Sequence, residues 1–182
     1  IMSFRARPKV ALLIESSRSY GRELLKGVAL FARTRTNWSL LHQEMAIDDM
    51  PPDWLAESGV SGAIARVDSH SIRSLRKLRV PVVDVRCRRK FQNMPRVDTD
   101  DQAVARLAFD HLRDRGFEQF AFCGYAATHY STTRLKFFRE LTQAGRVPLS
   151  VYESPSATIT GTTATEQSGI SDSPGMTEWL QT

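Results

Sequence analysis

Hydrogen-bonding side chains gather at five places in this sequence, each beside an apolar run. Ser16, Ser17, Tyr20 and Arg22 follow "KVALLI" at 9–14. Arg66, Asp68, Ser69 and His70 stand at the end of "GAIARV" at 62–67, and Arg86 and Cys87 follow "VPVVDV" at 80–85. Asp98, Thr99 and Asp100 precede a helical pattern that begins at 101, while Tyr125, His129 and Arg134 follow "QFAFCG" at 119–124. These groups are donors and acceptors rather than nucleophile–base pairs, a mixture suited to a polyhydroxylated ligand. Asp100 and Asp101 could also serve simply as helix N-caps.

Enzyme chemistry asks for arrangements that are absent. The first turn reads "ESSRSYG" where a dinucleotide fold wants G-x-G-x-x-G, and no G-K-[ST] phosphate loop occurs. Ser17, His70 and Asp98 could form a triad on paper, but no G-x-S-x-G elbow supports it. Neither Cys87 nor Cys123 has a second Cys or a His at metal-ligand spacing. No catalytic residue, cofactor or metal is therefore expected. The rival is a phospho-receiver domain with Asp68 as acceptor. It would need two acids after the first strand, where only Glu15 stands, and a Lys after the fifth, where "FCGYAATH" has none.

The elements that must position these groups alternate. Strands are expected at 9–14, 38–44, 62–67, 80–85, 119–124 and 147–153, with a short strand or extended segment at 96–101. Helices are expected at 19–35, 51–59, 71–78, 101–116 and 130–145, where apolar residues such as Leu24, Leu25, Val28 and Phe31 recur at helical spacing. Such alternation predicts an α/β domain of three layers, a parallel sheet with helices on both faces. Ligands of open parallel sheets bind beyond the carboxyl ends of the strands, where the groups above fall.

Residues 1–8 read as an arm, 9–153 as the first lobe, 154–175 (rich in Ser, Thr and Gly) as a linker or disordered tail, and 176–182 as the start of a truncated helix of the second lobe. The formal charge of +5 sits mainly in residues 4–9, 73–79 and 86–90. The middle cluster shares a helix with the apolar stripe Ile72, Leu75 and Leu78, so its cations form a solvated face rather than a nucleic-acid contact. No run approaches the ~20 apolar residues of a membrane span, and no secretory stretch opens the sequence, so a cytoplasmic location is expected. Both cysteines are expected as free, partly buried thiols.

"VDTDDQAVARLAFDHLRDRGFEQFAFCG" at 97–124 resembles a stretch in the effector domains of lac-repressor-type regulators. Their pattern there is an Asp-Asn pair, a helix ending in His-Leu, a Gly, and a strand ending in Gly. "RLKFF" at 134–138 is similar to the Arg-x-x-Gly-Phe/Trp segment that follows in that family. The opening "SSRSYGRELLKGVALFAR" resembles the xylose-responsive regulators, in which this effector domain precedes an AraC-type DNA-binding domain; Tyr20, Arg22, Gly27 and Val28 carry the match. The terminal "EWLQT" resembles an Asp-Trp-Leu-Gln segment of the same group.

The resemblance implies the first lobe of a type I periplasmic-binding-protein-like sensor in a bacterial transcription regulator. Two α/β lobes would close on a sugar, D-xylose or a related pentose, and closure would reach DNA through a dimer and a domain outside this sequence. It implies that Arg134 contacts the sugar, that Tyr20 and Arg22 line the crevice, and that Asp68, Asp100 and Ser17 are further ligand contacts. Asp101 stands where the family has Asn and keeps a helix-capping group.

Overall fold

The computed structural model describes residues 6–45, 49–87, 90–126, 128–154 and 174–181. The chain divides into two compact units, Ile1–Asp98 and Thr99–Thr182.

The first unit contains β1 (Lys9–Leu13), α1 (Ser19–Arg35), β2 (Ser39–Gln43), α2 (Trp54–Glu57), β3 (Gly62–Ala65), α3 (Ser71–Lys77) and β4 (Val82–Asp84). Its strands lie in the order β2-β1-β3-β4, all parallel, with Leu13 opposite Gln43 on one side and Ala65 on the other. Alternation along β1 sets the layers. Val10, Leu12 and Ile14 pack with Leu24, Leu25 and Val28 of α1. Ala11 and Leu13 point the other way, towards Leu55 of α2 and Leu75 of α3. Helices thus cover both faces of an apolar sheet, as the alternation required.

Two local features fix the carboxyl side of this unit. A Cβ on Gly21 would lie 1.8 Å from the Glu15 carbonyl oxygen, so only glycine lets α1 lie against the end of β1. Beyond β4, Asp84 N–H donates to the Pro95 carbonyl and Val97 N–H donates to the Asp84 carbonyl, giving one parallel bridge, Asp84 to Arg96. The extended segment expected at 96–101 contributes only that bridge before helix begins at Asp101.

The second unit contains α4 (Asp101–Asp114), β5 (Phe120–Tyr125), α5 (His129–Ala144), β6 (Leu149–Ser154) and α6 (Pro174–Trp179). β5 and β6 are parallel, with Phe120 opposite Leu149. Phe109, Phe120 and Phe138 meet edge-on or tilted at 5.6–6.3 Å and form the core with Ala105 and Val147. Trp179 of α6 lies 5.7 Å from the Tyr152 ring of β6. The linker expected at 154–175 falls largely outside the described residues.

The described ladders form one sheet of four strands and one of two, parallel throughout as the alternation required. Periodicity reports which residues are buried, not which strands pair. The helix expected at 51–59 forms only over Trp54–Glu57, because Pro51 and Pro52 precede it rather than opening it. Both cysteines are free, but Cys123 is exposed rather than partly buried, on the same face of β5 as the exposed Ala121 among the described residues.

Candidate functional site

In the order β2-β1-β3-β4 the chain turns one way from β1 to reach β2 and the other way to reach β3. The carboxyl ends of β1 and β3 are therefore the switch point, where open α/β sheets leave a crevice. A polar row lies along that edge. Glu15, buried just past β1, forms an ion pair with Arg66 past β3, Nη1 to Oε2 3.1 Å. Ser17 Oγ donates to the other Glu15 oxygen. Past β2, Glu44 accepts from the Ser16 backbone N–H at 2.7 Å and from the Ser16 hydroxyl. Partial burial pushes the Glu44 carboxyl up, but these bonds and the nearby His42 outweigh it and hold the carboxyl below its ordinary value.

The opening turn of α1 is tied to the same row. Arg22 Nη1 donates to the carbonyls of Ser16 and Ser17 at 3.0 and 2.7 Å, so its guanidinium clamps the loop that carries both serines. Tyr20, two residues earlier, is 50% exposed.

Asp68 is buried, and both of its oxygens are engaged. Oδ1 accepts from the backbone N–H groups of His70 and Ser71 at 2.8 and 2.7 Å, while its own N–H donates to Ser71 Oγ. That reciprocal pair closes the turn that leads into α3. Oδ2 takes Arg86 Nη1 at 3.0 Å. Burial raises the Asp68 carboxyl, but the Ser71 and His70 bonds and the Arg86 charge overcome this and leave it below the usual value. Next to it, the fully buried Asp84 carboxylate accepts from the N–H groups of Val67, Arg86 and Cys87, binding the ends of β3 and β4 together.

In the second unit the two acids at the start of α4 divide their roles. Asp100 is the N-cap, accepting from Ala103 N–H at 2.9 Å, a bond that contributes about 1 kcal/mol. Asp101, read in sequence as a capping group, instead pairs with Arg134 Nε of α5 at 2.7 Å. The Arg134 guanidinium also lies over the Tyr130 ring at 5.1 Å.

Of the residues singled out in sequence, Ser17, Tyr20, Arg22 and Asp68 thus lie on the carboxyl side of the four-stranded sheet, and Asp100 and Arg134 lie in the second unit. Sequence reasoning did not single out the Glu15–Arg66 pair or Glu44. The available signal was register: Leu13 pairs with Ala65, which puts a carboxylate and a guanidinium at the matching ends of neighbouring strands. A hollow of about 470 Å³ lined by Arg76, Val82, Asn93 and Met94 lies at the other end of β4 and touches none of these groups.

The fold is that of the sensor domains of periplasmic binding proteins and LacI-type regulators. A LacI family transcriptional regulator from Enterococcus faecium with bound ribose superposes with a TM-score of 0.64 at 17% identity, over 81% of this chain and 58% of that one. A periplasmic binding protein/LacI transcriptional regulator from Alkaliphilus metalliredigens complexed with D-xylulofuranose gives 0.62 at 19%, over 80% of this chain and 56% of that one. A xylose-binding transcription activator gives 0.71 at 22%, over 98% of this chain and 44% of that one. In sequence the chain is similar to the xylose operon regulatory proteins. It is 26% identical over 154 residues to that of Haemophilus influenzae and 27% identical over 161 residues to that of Escherichia coli K12. These matches cover 80% and 82% of this chain but only 39% and 40% of the relatives' lengths. No family model matches the sequence. Among the described residues, no helix is long and apolar enough to cross a membrane.

Proposed function

We propose that this chain is part of the ligand-sensing domain of a cytoplasmic transcription regulator, responding to D-xylose or a related pentose by closure of two lobes. The observation that carries the reading is the match to xylose operon regulatory proteins along four fifths of the chain. The site chemistry is consistent with it: a row of hydrogen-bonding groups at the sheet's switch point, with an exposed tyrosine ring beside it, suits a neutral polyol. On this reading Ser17, Tyr20, Arg22 and Asp68 of the first unit, and Asp100 and Arg134 of the second, are the candidate ligand contacts, each taken within its own unit. Residues 9–153 are the first lobe, and 176–182 start a helix of the second. A ligand closes such a pair only through contacts it makes better in the closed form. DNA would be reached through a domain outside this sequence, and the regulator would act as a homodimer.

Calorimetric titration of D-xylose into the chain and into Arg134→Ala tests the reading. Saturable binding that Arg134→Ala weakens at least about tenfold is expected, the usual cost of losing a charge-assisted bond. Equal affinity in both would remove Arg134 from the site. The receiver alternative finds no support in the geometry, since both Asp68 oxygens are already engaged.

A further inference from the structure

Arg134 is held from two directions. Asp101 takes its Nε, and the Tyr130 ring lies beneath its guanidinium. The Asp101 side chain is only 8% exposed, whereas Arg134 keeps 33% of its surface open. Among the described residues, neither terminal nitrogen of Arg134 has a hydrogen-bond partner. A guanidinium offers a planar fork of donors. With the Nε side occupied, the terminal nitrogens form the edge left for a ligand.

We propose that Asp101 is a positioning and specificity residue for recognition by Arg134: it fixes the guanidinium and cancels its charge, so that the open edge takes a neutral vicinal diol and rejects a carboxylate or phosphate. The inference rests on the reading of Arg134 as a ligand contact. An anion brought to the terminal nitrogens would also meet the Asp101 carboxylate in a partly desolvated setting, where like charges repel strongly. A pair of hydroxyls meets no such repulsion and still gains charge-assisted hydrogen bonds. Asparagine in place of Asp101 would keep the acceptor for Nε and delete the charge. Alanine would delete both.

The test compares the chain with Asp101→Asn and Asp101→Ala, using D-xylose and D-xylonate in calorimetry and the Arg134 Nε–H resonance in NMR. Asp101→Asn is expected to hold D-xylose within about threefold of the parent and to bind D-xylonate at least about tenfold more tightly than the parent does. Asp101→Ala is expected to lose roughly tenfold or more in D-xylose affinity, together with the exchange protection of the Nε–H. An unchanged xylose-to-xylonate ratio in Asp101→Asn, or unchanged D-xylose affinity in Asp101→Ala, overturns the proposal. Inorganic phosphate supplies an arm independent of any sugar: it should shift the Arg134 Nε–H resonance in Asp101→Asn and not in the parent. Equal responses there overturn the inference about Asp101. A parent chain that ignores D-xylose while the phosphate arm behaves as expected overturns the pentose reading alone.

Discussion

The acids at the carboxyl edge of the first unit hold structure, and that duty can be measured apart from the proposed ligand contact. Asp68→Ala removes the bonds that close the turn before α3 and one side of the buried Arg86 pair. Breaking such a pair costs about 3 kcal/mol or more, and a denaturant midpoint will show it without any sugar present. The same carboxyl gives a pH dependence of definite sign. Its folded value lies below the ordinary 3.8, so its contribution is fully present above that value and is lost as pH falls through the lower, folded one. Urea midpoints from about pH 6 down to about pH 3 should therefore fall, and Asp68→Asn should flatten part of the slope. Gly21→Ala belongs to the same scale. Its methyl group would meet the Glu15 carbonyl oxygen, and a loss of about 1–3 kcal/mol is expected in chemical denaturation.

The elements were legible in sequence where the physics is local. The apolar run 9–14 and the stripe Leu24, Leu25 and Val28 announce β1 and α1, because burial on one face leaves a period in the sequence. Asp101 was not legible, because a capping acid and a salt-bridging acid are the same letter at the same place. Only the arrival of Arg134 from α5 tells them apart. Cys123 was misread for a related reason: β5 is apolar enough to suggest cover on both faces, yet the described structure leaves this thiol open. The two thiols should therefore react very differently with a thiol reagent. Cys123 is open enough to be modified in the folded chain, although partial burial raises its thiol and slows the reaction. Cys87 is buried beneath Asp84 and Val97, with its Sγ donating to the Val97 carbonyl at 3.2 Å. Burial, with Asp98 and Asp84 adding to it, pushes this thiol up to about 12, so it should react only when the unit unfolds.

For the whole molecule, the prediction concerns self-association. α1 leaves Leu30 and Phe31 half exposed beside Trp38, and a Cβ on Gly27 would meet nothing within 4 Å. This exposed apolar pair makes α1 the face favoured for the proposed homodimer. Light scattering should give a dimer mass for the chain, and Phe31→Glu should shift it to monomer; a monomer from the outset removes the dimer proposal. The pairing of strands was the least legible feature at this scale, since alternation of strand and helix is the same whether the strands share one sheet or two.

The division after Asp98 also bears on how such a sensor could be re-engineered. Each unit has its own apolar centre, and the residues proposed to read the sugar are dealt out to both, Tyr20 and Arg22 to one and Arg134 with Asp101 to the other. Exchanging everything after Asp98 for the equivalent stretch of a relative would replace the guanidinium and its carboxylate together. The recognition pair Arg134–Asp101 would then travel as one cassette, with Tyr20 and Arg22 left as they are.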